Sequence, residues 1–117
     1  MPFDGEPAVL VYLTGSFKIE LADGRDVTPR SSKAQGLIAL LATSSSGARS
    51  RSWLQSLLWS DRAPEQASGS LRQCLVQLRH ALADIPEVLE ATRQKISLDL
   101  GKVSIVACEN EEVLEGL

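Results

Sequence analysis

The first third of the chain contains two strand patterns, a continuous apolar run and a segment in which hydrophobic and polar positions alternate. Residues 8–13 are all apolar, and residues 16–21 alternate, with Phe17, Ile19 and Leu21 on one face. Asp23-Gly24 then favours a hairpin turn, because glycine accepts the positive φ of a tight turn. A short return strand is expected over Arg25–Thr28. The pattern therefore predicts a small antiparallel sheet.

In the middle of the chain the apolar residues recur every three or four positions, which predicts three helices. The first two begin at serines that can cap a helix, and the third begins at a proline suited to a first helical turn. The predicted limits are residues 31–43, 50–59 and 64–84, with Ser31 or Ser32 and Ser50 or Ser52 as the two N-caps.

The same spacing indicates which faces of the helices are buried. The second helix is expected to direct four residues inward, namely Trp53, Leu54, Leu57 and Leu58. At 100° per residue, four leucines of the third helix fall within about 40° of one direction. They are Leu71, Leu75, Leu78 and Leu82.

The last part of the chain returns to strand patterns. Strands are expected over Val88–Ala91 and Lys95–Leu100, with residues 92–94 as an exposed tip. A turn at residues 100–102 leads to a further strand, Val103–Ala107. The order of sheet, three helices and hairpin predicts an α+β domain in which the hairpin forms a wing beside the third helix.

Composition supports one globular domain, since 117 residues with 44% hydrophobic and 23% charged side chains suffice for a single core. This domain is expected to span residues 1–107, and the acidic residues 108–117 to be a linker or the start of a following helical domain. No apolar run is long enough to cross a bilayer, and Asp4 and Glu6 stand where a signal peptide would be positive. Two cysteines form no disulfide framework, so the cytoplasm is the expected location.

The net charge of −3 is unevenly distributed along the chain. Residues 1–29 and 96–117 are acidic, whereas residues 30–95 contain nine basic and five acidic residues, a net charge of +4. A local basic surface, rather than the overall charge, determines attraction to phosphate. The predicted helical region therefore keeps nucleic-acid binding open.

Four segments and the predicted hairpin follow one another in a recognisable order: Leu13–Phe17 (LTGSF), Arg30–Leu41 (RSSKAQGLIALL), Ser50–Trp59 (SRSWLQSLLW), Ala67–Leu82 (ASGSLRQCLVQLRHAL) and Val88–Leu100. The Leu-Trp ending of the second helix and the leucine spacing of the third are the most specific parts. Over residues 8–107 the chain resembles the winged-helix DNA-binding domains of OmpR/PhoB-type regulators. It is most similar to the N-terminal domain of SARP-type bacterial transcriptional activators.

The resemblance implies a winged helix-turn-helix with an N-terminal antiparallel sheet, three helices and a C-terminal β-hairpin wing. It also implies sequence-specific binding of double-stranded DNA by a bacterial transcriptional regulator. The third helix would enter the major groove and the wing would lie at the minor groove. Relatives bind direct repeats as dimers, can contact RNA polymerase through the loop between the second and third helices, and often continue into a helical-repeat activator domain.

The third helix carries the main candidates for DNA contact, which are Ser70, Arg72, Gln73, Gln77 and Arg79. Glutamine can form two hydrogen bonds with adenine, so Gln73 and Gln77 are the candidates for base contacts. Arg72 and Arg79 suit bases or phosphates. Gly69 would let the backbone approach a groove wall closely. A solvated amphipathic surface would explain the same residues from the helix alone; the predicted wing and the resemblance favour DNA.

Two further pairs are candidates outside the third helix. Arg93 and Lys95 at the wing tip can contact the minor groove or phosphate, or simply keep an exposed turn soluble. Arg51 and Ser52 lie at the start of the second helix, where free amides and the helix dipole favour a phosphate. Ordinary capping is compatible with that role.

The loop between the second and third helices exposes Asp61, Arg62 and Glu65, which would contact RNA polymerase or serve only as a connector. The alternative function is therefore a winged helix retained as a protein-interaction module with weak or no DNA binding. The acidic overall composition supports this alternative.

Catalytic patterns are missing from the sequence. With one histidine and scattered acids, no Ser/His/Asp set, paired carboxylates or glycine-rich phosphate loop is present. Cys74 and His80 project from different sides of the third helix, so they cannot share a metal. We expect no enzyme activity, no metal site and no cofactor.

Overall fold

The computed structural model describes residues 8–13 and 16–106. Within these residues, three helices and two small sheets form an α+β domain, as the sequence predicts. In chain order the elements are β1 (Val9–Tyr12), β2 (Lys18–Leu21), α1 (Ser32–Ala42), β3 (Ala48–Ser50), α2 (Arg51–Leu58), α3 (Pro64–Ala81), β4 (Leu89–Ala91), β5 (Lys95–Leu98) and β6 (Val103–Val106). Short 3₁₀ turns at Pro86–Val88 and Leu100–Lys102 precede β4 and β6.

The first sheet has the strand order β2-β1-β6. β1 and β2 are antiparallel, as predicted, but β6 joins the other edge of β1 in parallel, which the sequence did not indicate. The return strand expected over Arg25–Thr28 is wrong, because only Asp26 forms a bridge, with Glu20. The segment still lies beside β2, since the Val27 amide donates to the Ile19 carbonyl and the Ile19 amide donates to the Thr28 hydroxyl. The Asp26 carboxylate accepts hydrogen bonds from the amide and hydroxyl of Thr28, and this local turn replaces the regular strand ladder.

The second sheet has the strand order β3-β5-β4 and includes the predicted hairpin. β4 and β5 are antiparallel, and the connection between them falls on residues 92–94, as expected. β5 ends at Leu98 rather than Leu100, because the chain enters a 3₁₀ turn. β3 pairs with the free edge of β5 and was not predicted, since its residues Ala-Arg-Ser contain no apolar alternation that would mark a strand.

The helix boundaries largely follow the capping residues. The Ser31 hydroxyl accepts a hydrogen bond from the Ala34 amide at the start of α1, and the Ser50 hydroxyl accepts one from the Trp53 amide at the start of α2. α3 ends at Ala81, three residues before the predicted Asp84. No helix of the described residues is long and apolar enough to cross a membrane.

One hydrophobic cluster joins both sheets and all three helices. The four leucines predicted for the inner face of α3 are all buried, as is Trp59. Trp53 and Leu57 were predicted to face inward, and this is wrong: they are 38% and 52% exposed. The short α2 buries Leu54 against the core, and Trp53 projects about 100° away from that direction.

Candidate nucleic-acid interface

An open groove of about 960 Å³ lies where the start of α2, the first half of α3 and the tip of the β4–β5 hairpin meet. We call it the arginine groove. Its polar lining includes Arg51, Ser52, Gln55, Ser68, Arg72 and Arg93. Four of the predicted site residues, from three separate elements, therefore meet in one place.

The arginine groove is positively charged. Arg51, Arg72 and Arg93 contribute three guanidinium groups, and no carboxylate is among its lining residues. Within residues 8–13 and 16–106, none of these arginines forms an ion pair. The positive charge is therefore available to an anion from solution.

Arg51 ties the hairpin tip to α2. Its backbone amide donates to the Gln94 carbonyl at 2.9 Å, and its side-chain Nε donates to the Thr92 carbonyl at 2.6 Å. The Thr92 hydroxyl in turn accepts from the amides of Gln94 and Lys95 at 3.2 and 3.1 Å. Because β3 runs directly into α2 at Ser50, the hairpin and the start of α2 are held in one fixed arrangement.

The N-terminus of α2 opens into the arginine groove. The Ser50 hydroxyl accepts from the Trp53 amide at 3.1 Å, and Gln94 accepts from the Arg51 amide. The described residues provide no acceptor for the remaining first-turn amide, that of Ser52. A free amide at the positive end of a helix favours an anion.

The candidates on α3 do not all lie in the arginine groove. Arg72 lines it, and Gln73 and Arg79 are exposed on α3 without lining it. Ser70 is half-buried and Gln77 lies in a different groove. The predicted DNA candidates therefore divide into one cluster and several exposed positions along α3.

Lys95 also lies outside the arginine groove. It pairs with Ser50 in the β3–β5 register, while the next residue, Ile96, is fully buried. Since successive side chains of a strand point to opposite faces, Lys95 lies on the outer face of the sheet.

The second groove, also about 960 Å³, lies between the β2–α1 connection and the C-terminal half of α3. We call it the apolar groove. Leu21, Val27 and Pro29 line one side, and Val76, Gln77 and His80 of α3 line the other. Val76 is 63% exposed, so the apolar wall on α3 is uncovered.

The residues suggested as partner contacts, Asp61, Arg62 and Glu65, are all exposed. They follow α2, which exposes Trp53 and Leu57. The Arg49 guanidinium lies 4.5 Å from the centre of the Trp53 ring. The exposed aromatic surface of α2 was missed by the sequence, because spacing alone did not fix which side of the short helix faces the core.

Gln55, Ser68 and Thr92 contribute to the arginine groove but were not predicted. Ser68 stands one helical turn before Arg72, and this spacing was the available signal. Gln55 and Thr92 come together because α2 contacts the hairpin tip, and no local sequence pattern predicts that contact.

Among the residues that the structure describes, the remaining reactive groups do not form a site. Cys74 is buried, and this burial raises the pKa of its thiol. No cluster of three or more potential metal-ligating side chains exists among the described residues. Cys108 falls outside the described residues, as do the end of the predicted domain at Ala107 and the acidic segment after it.

Comparisons of the chain with protein-family models, curated proteins and solved structures found no match.

Proposed function

We propose that this chain is a winged-helix DNA-binding domain of the OmpR/PhoB type, most similar to the N-terminal domains of SARP-type bacterial activators. It binds double-stranded DNA sequence-specifically, as part of a cytoplasmic transcriptional regulator. α3 enters the major groove and the β4–β5 hairpin lies at the minor groove. The observation that carries the proposal is the convergence in the arginine groove of three arginines that form no ion pair with any described residue.

A DNA phosphate matches the chemistry of this groove. Guanidinium groups bind phosphate oxygens through paired, charge-assisted hydrogen bonds. Arg72 comes from α3 and Arg93 from the hairpin, so a phosphate between them belongs to the strand that separates the two DNA grooves. The free amide of Ser52 adds a donor at the helix N-terminus.

With a phosphate in the arginine groove, the exposed surface of α3 faces the base edges. Gln73 follows Arg72 and is the first candidate for adenine, and the methyl groups of Val76 suit the methyl group of thymine. Arg79 lies on the same flank as Arg72, about 10 Å further along the helix axis. It suits a second phosphate or a guanine.

A binding titration tests the proposal. A preferred sequence is first selected from a random double-stranded library, and the affinity is then measured at about 50 mM and about 200 mM salt. We expect a selected motif and an affinity that falls steeply with salt, because phosphate contacts release counterions. Neither a motif nor any binding at the lower salt concentration would contradict DNA binding.

Two variants test the geometry, and a third is the control. Arg72→Gln and Arg93→Gln should each reduce the slope of log affinity against log salt by about 0.9, the value for one lost phosphate contact. Arg62→Gln removes the same charge from the exposed loop outside the groove and should leave the slope unchanged. If Arg72→Gln and Arg93→Gln both keep the salt slope of the parent chain, as Arg62→Gln does, the arginine groove is excluded as the phosphate site.

Relatives implied by the resemblance bind direct repeats, so a dimer on DNA is part of the proposal. Sedimentation of the protein with fragments carrying one or two copies of the selected motif measures this. We expect two protein chains on the two-copy fragment, bound more tightly than one chain on the single copy. Equal affinity for both fragments would argue for independent monomers.

A second candidate function is protein interaction, with RNA polymerase or a regulatory partner. The observation that favours it is the exposure of Trp53 and Leu57 on α2, beside the charged loop with Asp61, Arg62 and Glu65. The double variant Trp53→Ala, Leu57→Ala should reduce promoter activation while DNA affinity stays unchanged. Unchanged activation would remove this surface from consideration.

A further inference from the structure

The apolar groove has the size and composition of a small-molecule site. Its volume of about 960 Å³ falls within the usual range for ligand pockets, roughly 300–1,000 Å³. Leu21, Val27 and Pro29 form one apolar side, and Val76 and Ala81 of α3 contribute apolar surface opposite them. Val76 would lose most of its exposure to water beneath a bound apolar group.

The side chains that line the apolar groove include two guanidinium groups, of Arg25 and Arg30, and one carboxylate, that of Asp84. Asp84 accepts a hydrogen bond from the Arg25 guanidinium, which also pairs with Asp23 outside the lining. Arg30 also lines the groove, is exposed, and forms no ion pair with any residue that the structure describes. His80 adds an imidazole from α3. One guanidinium is therefore left to receive an anionic group.

The Arg25–Asp84 ion pair lies in the lining of the groove. Arg25 follows β2 and Asp84 follows α3, so the pair joins the two walls. Arg25 also holds Asp23 at 2.8 Å, which anchors it to the turn after β2. A compact ligand can lie on the apolar surface that this ion pair leaves uncovered.

From these observations we propose that the apolar groove binds a small amphipathic organic anion: an aromatic or alicyclic body between the apolar walls, with a carboxylate or sulfonate on Arg30. The ligand would cover Val76, Gln77 and His80 on α3. Because Gln77 is also a candidate DNA contact, the ligand and DNA compete for α3. This competition rests on the proposed DNA binding, whereas the ligand site itself does not.

A pair of fluorescent dyes tests the site on the DNA-free protein. Anilinonaphthalene sulfonate carries an apolar ring system and an anion, and phenylnaphthylamine has the same rings without the sulfonate. Both should bind at one site per chain, measured by fluorescence titration. Arg30→Gln should reduce the affinity for the sulfonate dye by about fivefold or more, which is the scale of a lost charge-assisted hydrogen bond. The affinity for the neutral dye should stay unchanged.

Two further variants complete the design. Val76→Glu places a carboxylate on the exposed apolar wall and should reduce the affinity for both dyes. Lys18→Gln removes a positive charge outside the groove and should leave both affinities unchanged. Circular dichroism checks that the fold is retained, which the exposure of Arg30 and Val76 favours. If Arg30→Gln and Val76→Glu bind both dyes like the parent chain, the dyes bind elsewhere and the proposal is wrong.

Sedimentation separates a ligand site from a self-association surface. The chain should remain monomeric without DNA at the concentrations of the titration, with and without Val76→Glu. A dimer that Val76→Glu dissociates, together with no dye binding, would identify a second copy as the occupant and overturn the proposal.

The competition between the ligand and DNA is measured separately, with DNA that carries a far-red label. Anilinonaphthalene sulfonate should release the DNA, and Arg30→Gln should require at least about fivefold more dye to do so. Dye binding without release of bound DNA would overturn the competition alone. Absence of DNA binding in the first place would leave the dye titration to decide the site.

Discussion

Gly69 lies within α3, where the fold gives no reason for glycine. It has ordinary helical backbone geometry, and a Cβ atom added there meets nothing within 4 Å. Glycine in a helix interior costs about 0.5–1 kcal/mol relative to alanine. Gly69→Ala should therefore raise the free energy of unfolding by about that amount, a urea midpoint shift of roughly 0.3–0.8 M for a domain of this size.

DNA binding should change in the opposite direction. Gly69 lies on the exposed side of α3, three residues before Arg72, where the proposed complex brings the helix backbone against the duplex. A methyl group inserted into such a contact costs about 1–3 kcal/mol. Gly69→Ala should thus fold more stably and bind its selected DNA motif at least about fivefold more weakly, in urea unfolding and in the binding titration.

Gly36 in α1 provides the matched control. Its added Cβ would lie 3.4 Å from Leu58 Cδ2, an ordinary contact on the side of α1 that meets α2. Gly36→Ala should gain stability like Gly69→Ala but keep the parent DNA affinity. If Gly69→Ala gains stability and loses no affinity, α3 does not approach DNA closely at this position. If it destabilises the domain, the helix argument itself is wrong.

Three other expectations can be checked together. Gly47 has φ of 75° and an added Cβ would lie 2.4 Å from the Leu98 carbonyl oxygen, so Gly47→Ala should lose about 2 kcal/mol or more in urea unfolding. Ser50→Ala removes the N-cap of α2 and should cost about 1 kcal/mol in the same assay, with a salt slope for DNA that stays close to the parent. The hydrogen bonds from the hydroxyl and then the amide of Thr28 lower the pKa of Asp26, so its contribution to stability is present above its ordinary pKa near pH 4 and disappears as the pH falls through the lowered pKa. Thermal unfolding across this acid range should show a weaker pH dependence for Asp26→Asn than for the parent; parallel curves would contradict the assignment.

The helices could be predicted because their signals are local. Ser31 and Ser50 cap helices within three residues of themselves, and the leucine stripe of α3 is visible in one stretch of sequence. The hairpin of β4 and β5 was predictable for the same reason. The exposure of Trp53 was not, since it depends on how α2 docks against α1 and α3.

Long-range pairing explains the remaining differences. β6 joins β1 across nearly the whole chain, and the three residues of β3 form a strand only because β5 offers an unpaired edge. The arginine groove has the same origin. The sequence predicted Arg51, Arg72 and Arg93 as separate candidates for DNA contact, but only the folded chain brings them together.

The hydrogen bonds from Arg51 to the hairpin tip bear on the thermodynamics of association. They hold the Thr92 and Gln94 carbonyls before any ligand arrives, so this turn has little conformational entropy left to lose on binding. Arg51→Ala removes the side-chain hydrogen bond to Thr92 and keeps the backbone bond to Gln94. Calorimetry of DNA binding should show a larger entropic penalty for Arg51→Ala than for Arg72→Ala, although each variant removes one guanidinium. Arg51 would then act as an element of preorganisation, whose main effect is on the flexibility of the unbound protein.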